Sequence, residues 1–112
     1  MNLALYIPTD ISHEGTLQLD GDVRIDGFFS GTLHTEGSVL ISSSAQFYGC
    51  LKCLKVDVFG FVKGQIKAYE MINLHHSGTM IGKLDTPQAT LSKGAQFSGL
   101  AHIASSSEDK KQ

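Results

Sequence analysis

Several residue types are scarce in this chain of 112 residues, and each scarcity excludes a class of protein. There is no tryptophan, there are only two prolines and two cysteines, and the formal net charge is −2. A charge so close to zero gives no field that attracts nucleic acid, so we predict no nucleic-acid partner. Two cysteines do not make a disulfide framework, and no apolar run approaches the ~20 residues that span a bilayer.

The beginning of the sequence resembles neither a secretory signal nor a helical anchor. It has no basic region and no cleavage site, so we expect a cytoplasmic protein. Leu3, Leu5 and Ile7 alternate with other residues, which would let this segment add a strand to a sheet or contact a membrane surface. We predict one domain with two tails: an N-terminal tail at 1–10, a β-helix at 11–103 and a disordered polar tail at 104–112.

Glycine is plentiful, and six glycines mark a repeat. They recur at intervals of 16, 18, 15, 18 and 17 residues, at Gly15, Gly31, Gly49, Gly64, Gly82 and Gly99. Apolar residues lie two before and two after most of them, which is the period of a strand with one buried face. Three short strands in each repeat of about 17 residues predict one turn of a triangular solenoid. The sequence therefore predicts an all-β fold, a single-stranded parallel β-helix of about six coils.

The two cysteines match the pattern C-x-x-C, which can mark a zinc half-site or a redox pair. The repeat argues against both interpretations, because it places Cys53 at an inward position and Cys50 at an outward one. Residues on opposite faces of a strand cannot share one metal ion, and there is no second pair to complete four ligands. We predict one small core residue and one surface thiol.

The remaining candidates for chemistry do not converge. His34 and His102 fall at outward positions, and His75 and His76 at a corner, whereas His13 lies on an inward position of the first coil. The aspartates are scattered, and the sequence contains no phosphate-binding loop and no nucleophile–histidine–acid pattern. We therefore predict no catalytic residues, no metal site and no cofactor, and we expect that the protein is not an enzyme.

The two ends of the predicted solenoid are the features that suggest a function. The last coil offers Phe97, Leu100 and Ile103 and then runs into a serine-rich segment that cannot form an amphipathic cap. Ile11 and His13 would lie at the opposite end. Uncapped strands and an exposed core are templates for another copy of the chain. We predict a homopolymer that grows end to end, with these five residues at its interface.

Three segments resemble the bactofilins, a family of bacterial polymer-forming cytoskeletal proteins. They are Leu19–Gly27, Phe59–Ala68 and Gly94–Gly99, and the resemblance covers about residues 11–103. It implies a right-handed β-helix that polymerises without nucleotide into non-polar filaments, which scaffold cell-shape or envelope processes, often at the membrane. It also implies that the apolar contact of the C-terminal coil maps onto Phe97.

Two other interpretations stay open at the level of the sequence. Gly15, Gly21 and Gly27 are spaced by six, which suits a left-handed hexapeptide-repeat enzyme, such as a trimeric acyltransferase or a carbonic anhydrase-like protein. That period fails after Gly37, and the longer intervals do not keep it. The other interpretation is an adaptor that recruits a partner along one face, for example an envelope or peptidoglycan-modifying enzyme.

Overall fold

The structure, a computed structural model, describes residues 3–103, and in that range it consists of β-strands without a helix. The strands are β1 (Leu3–Ile7), β2 (Ser12–Leu19), β3 (Asp22–Ile25), β4 (Phe28–Thr35), β5 (Ser38–Ile41), β6 (Gln46–Val58), β7 (Phe61–Leu74), β8 (Thr79–Thr86), β9 (Ala89–Leu91) and β10 (Gln96–Ile103). All their pairings are parallel, and each strand from β1 to β8 pairs with the segment about one repeat later. The predicted all-β solenoid is confirmed.

The six repeated glycines lie in one line along the molecule, which confirms the alignment of the repeats. The register pairs Gly15 with Gly31 and continues in the same way to Gly99. We number the turns as rungs, from the first at Gly15 to the sixth at Gly99. Each glycine bends its strand and divides it into face 1, the three residues before the glycine, and face 2, the four residues after it.

The third face consists of β1, β3, β5, the second halves of β6 and β7, and β9. Its first strand, β1, lies inside the segment 1–10 that the sequence assigned to a tail. Leu5 pairs with Val23 and Ile7 with Ile25, so this segment extends the sheet by one strand. The predicted C-terminal tail at 104–112 lies outside the described residues.

The bend glycines share a positive φ, and from the second rung onward their surroundings also leave no room for a Cβ atom. Gly49 has a φ of 125°, and a Cβ atom on it would lie 1.9 Å from the carbonyl oxygen of Gly31. Gly15 has a φ of 122°, but its Cβ would meet nothing within 4 Å, since no rung precedes it. A methyl group at Gly15 would therefore point along the solenoid axis, out of its N-terminal end.

The core is a continuous column of inward side chains that stack on equivalent residues of neighbouring rungs. Phe29 and Phe47 are fully buried, and their rings stack with centroids 5.0 Å apart. Thr35 is also fully buried, and its hydroxyl donates a hydrogen bond to the carbonyl oxygen of Gly21. The buried polar atom is thus satisfied, and the column stays closely packed from rung to rung.

The unequal intervals between the glycines are absorbed at the corners. The corner between face 3 and face 1 has either two residues, as between β3 and β4, or four, as between β5 and β6. A long corner lies over a short one and bonds to it: the Ser44 hydroxyl donates to the Asp26 carbonyl at 2.9 Å, and that of Ser77 donates to Phe59 at 2.7 Å. The corners vary in length while the inward columns keep their register.

Candidate assembly surfaces

The C-terminal end of the solenoid exposes the last layer of its core. Phe97 faces inward and is partly buried against the preceding rung. Ile103 and Leu91 continue inward columns of faces 2 and 3, but they remain 46% and 55% exposed because no further rung among residues 3–103 covers them. The strands β9 and β10 each pair on one side only within the described residues. This end therefore offers both apolar surface and unpaired backbone groups.

The N-terminal end has the same construction. His13 is half-buried, and its imidazole stacks on Phe29 with centroids 5.5 Å apart and planes 2° apart. Its Nδ1 atom is buried and has no hydrogen-bond partner among the described residues. Leu17 and Leu19 are only partly covered, and Ile11, in the corner before β2, is 49% exposed. The inward columns thus end here in a second mostly apolar surface.

The strand β1 at this end is anchored to the next turn by polar contacts. The Tyr6 hydroxyl donates to Asp26 Oδ2 at 2.9 Å, and Arg24 Nε lies 3.1 Å from Asp26 Oδ1. Burial acts to raise the pKa of Asp26, but hydrogen bonds from Ser42, Tyr6 and Arg24 outweigh it and hold that pKa below its ordinary value. The charged carboxylate is therefore the form that holds β1 in place.

Leu5 and Ile7 of β1 lie against the core and not on an outer surface. Ile7 is 2% exposed, and Leu5 is partly buried against the hydrophobic core. The side chain of Leu3 lies outside the described residues. While Leu5 and Ile7 pack on the first coil, they cannot contact a membrane.

Leu100 differs in its position from the other predicted interface residues. It occupies an outward position of face 2 and is 69% exposed, on the side of the solenoid. There it lines a groove of about 530 Å³ together with Lys67, Lys83 and other outward residues of the same face. The sequence-based assignment of Leu100 to the end surface is therefore not supported by its geometry, whereas Phe97, Ile103, His13 and Ile11 lie at the ends.

The candidates for metal and redox chemistry lie where the repeat places them. Cys53 is fully buried, and burial raises its pKa to about 12, while Cys50 is on the outer surface. Among the described residues, no three His, Cys, Asp or Glu side chains come together as a metal site. That part of the chain also contains no helix that is long and apolar enough to cross a membrane.

Three end residues were missed at the level of the sequence, namely Leu17, Leu19 and Leu91. All three were already placed at inward positions by the repeat. A signal that could have found them is their place in the first or last rung, since an inward residue there has a neighbour on one side only. Chemical type alone does not show this, because similar residues are buried in every other rung.

The comparisons with known proteins agree with this architecture. The family Bactofilin, described as polymer-forming cytoskeletal, matches residues 5–102. The fold is similar to that of a chain in the cryo-EM reconstruction of Thermus thermophilus bactofilin double helical filaments, with a TM-score of 0.71 and 21% identity. That match covers 86% of this chain and 95% of the other.

Two curated relatives come from Myxococcus xanthus (strain DK1622). Bactofilin BacO is 25% identical over 93 residues, which are 83% of this chain and 74% of BacO. Bactofilin BacP is 28% identical over 85 residues, which are 76% of this chain but only 35% of BacP. The register follows irregular intervals of 15 to 18 residues, and nothing supports the hexapeptide-repeat enzyme. The chain belongs to the bactofilins, a structural family of polymer-forming cytoskeletal proteins.

Proposed function

We propose that this chain assembles end to end, without nucleotide, into non-polar filaments that scaffold cell-shape or envelope processes in the cytoplasm. The observation that carries the proposal is the pair of solenoid ends, which residues 3–103 leave uncapped. At the C-terminal end Leu91 and Ile103 are about half exposed although they continue core columns. A second copy would cover them and pair with the open strand edge. The sequence has no phosphate-binding loop that would couple this step to a nucleotide.

The proposed longitudinal contact has two forms that alternate along a non-polar filament. In one, two C-terminal ends meet through Phe97, Ile103 and Leu91. In the other, two N-terminal ends meet through His13 and Ile11, with the adjoining leucines of β2. The Thermus thermophilus filaments are double helical, and we propose that filaments of this chain also associate in pairs.

A filament of this kind would also recruit a partner along its sides. The outer faces that lateral pairing leaves free would hold an envelope or peptidoglycan-modifying enzyme, in agreement with the adaptor interpretation. Attachment to a membrane through Leu3, Leu5 and Ile7 stays a prediction, and it would require β1 to leave its pairing with β3.

The test is negative-stain electron microscopy of the purified chain without nucleotide, beside two arginine variants. Phe97→Arg should abolish filaments, because its charge would be desolvated in the C-terminal contact. Gln65→Arg places the same charge on the side of the fourth rung, at an exposed position, and should assemble normally. Circular dichroism checks that both variants retain the β-fold. Absence of wild-type filaments, or equal assembly of Phe97→Arg, would contradict the proposal.

A further inference from the structure

The outer surface of face 1 carries fewer charges than that of either other face. It consists of two columns of outward residues. The first column lies three residues before each bend glycine and contains Ser12, Phe28, Gln46, Phe61, Thr79 and Gln96. The second lies one residue before each bend glycine and contains Glu14, Ser30, Tyr48, Lys63, Ile81 and Ser98. Only Glu14 and Lys63 are charged. The outer surface of face 2, in contrast, carries three lysines and an aspartate besides two histidines. Removing water from face 1 in a contact therefore costs less free energy than removing it from either other face.

Aromatic side chains form a continuous strip on this surface. Phe28 contacts Tyr48 with ring centroids 5.3 Å apart, and Tyr48 contacts Phe61 with centroids 5.7 Å apart. The strip crosses from one column to the other at each rung, and Ile81, 37% exposed, continues it on the fifth rung. Aromatic residues are enriched in protein–protein interfaces. On an outer surface that stays in water they contribute little to stability.

The two charges identify a second copy of this chain as the partner. Consider two copies face to face and antiparallel, related by a two-fold axis between the second and third rungs. Such an axis places each column of one copy opposite the same column of the other copy. It also places the first rung of one copy opposite the fourth rung of the other. Glu14 of each copy then faces Lys63 of the other, so both charges of the surface are paired. A parallel arrangement keeps equal rungs opposite each other and leaves both charges without a counter-charge.

The same axis places large residues opposite small or flexible ones. Tyr48 faces Ser30, and Phe61 faces Ser12, because the third rung exchanges with the second and the fourth with the first. Large side chains can thus insert beside small ones, as close packing of two sheets requires. Shape and charge therefore favour the same antiparallel arrangement.

The size of the surface indicates that the partner is a whole filament and not a single subunit. In this arrangement the first four rungs of the two copies overlap, and three strand residues by four rungs give a contact of about 10 Å by about 19 Å, or roughly 190 Å² for each copy. A stable pair of proteins buries about 800 Å² on each partner. One face 1 contact is therefore too small for a dimer, but two filaments repeat it at every subunit along their length.

We propose that face 1 is the lateral contact through which two filaments of this chain pair, with the two subunits of each contact antiparallel and Glu14 and Lys63 paired at its two ends. The inference rests on the proposed filament, because lateral pairing becomes stable only after end-to-end assembly. It assigns to face 1 a role that the longitudinal residues do not have.

The first experiment compares the double variant Tyr48→Thr/Phe61→Thr with Leu40→Thr/Met71→Thr by negative-stain electron microscopy. The control removes two partly buried outward apolar residues from face 3. The face 1 variant should form single filaments of about half the wild-type width, and the control should form paired ones. Paired filaments of the face 1 variant, or single filaments of the wild type, overturn the inference. Absence of wild-type filaments refutes the proposed function as well, so the two failures are distinguishable.

The second experiment exchanges the two charges and keeps the aromatic strip. Glu14→Lys alone and Lys63→Glu alone should each give single filaments, because like charges then oppose each other twice in every contact. The combined variant Glu14→Lys/Lys63→Glu should restore pairing, since opposite charges face each other again. Filaments in the single variants show that folding and longitudinal assembly are intact. Failure of the combined variant to restore pairs would overturn the antiparallel arrangement.

Discussion

Replacing two apolar residues at the C-terminal end should weaken assembly by an amount that also reports the polarity of the filament. The variant is Leu91→Thr/Ile103→Thr. Complete burial of a leucine or isoleucine contributes about 1.5–3 kcal/mol, and these side chains are still 55% and 46% exposed in the single chain. Covering both in a contact therefore contributes about 2 kcal/mol for each C-terminal end.

The two possible polarities give different results. In a non-polar filament one contact contains two C-terminal ends, so the variant loses about 4 kcal/mol there, or about a thousandfold in affinity. The contact between N-terminal ends is unchanged, and dimers should remain. In a head-to-tail filament every contact loses about 2 kcal/mol, or about thirtyfold, and monomers should coexist with fewer filaments. We expect the first result.

Pelleting over a range of concentrations gives the critical concentration, and sedimentation velocity of the supernatant distinguishes dimers from monomers. The matched control is Leu54→Thr/Tyr69→Thr, because these residues are 40% and 54% exposed on the side of the solenoid. The control should assemble like the wild type. A Leu91→Thr/Ile103→Thr variant whose critical concentration stays within about threefold of the wild type would refute the burial argument.

Three further predictions concern the single chain. For Gly15→Ala we expect a loss of about 1–3 kcal/mol from backbone strain alone. Gly49→Ala should lower the free energy of unfolding by several kcal/mol more, because its Cβ would also meet the backbone of Gly31. Urea unfolding of assembly-deficient protein measures both changes. Because the folded pKa of Asp26 is lowered, its stabilising effect is present above the unfolded pKa and lost as pH falls through the folded one. The thermal midpoint should thus fall more between pH 5 and pH 2 in the wild type than in Asp26→Asn. A thiol reagent should modify Cys50 alone in the folded chain and Cys53 also in denaturant, and equal rates would contradict the assigned burial.

The repeat in the sequence predicted the fold to the level of individual pairs. The alignment on the glycines placed Phe29 opposite Phe47 and Leu33 opposite Leu51, and both pairs are found. The prediction works because a solenoid makes each residue a neighbour of its own equivalent one rung away, so that one period determines most contacts. Few folds allow this, since contacts between unlike segments leave no such regular pattern.

The end surfaces were less predictable for a physical reason. Phe97 and Ile103 were identified because they are large and lie near the last repeat, but Leu100 was included by the same criterion and lies on the side. Leu91 was missed although the repeat aligns it with the buried Leu74, because only its place in the last turn leaves it exposed. An inward residue at an end is exposed because no neighbouring rung covers it, and the type of the residue does not indicate this.

The proposed assembly without nucleotide has a physical basis in the exposed C-terminal end of the solenoid. Within the described residues each rung is covered by the next one up to β10, and in the proposed filament another copy covers β10. The edge of this strand is eight residues long and already fixed in its conformation, so a second copy orders little further backbone. Its hydrogen bonds contribute about 1 kcal/mol each, and the exposed core residues add to them. These hydrogen bonds and this burial favour the contact without a nucleotide hydrolysis step. Filament length should therefore depend on the concentration of the chain and on molecules that cover its ends.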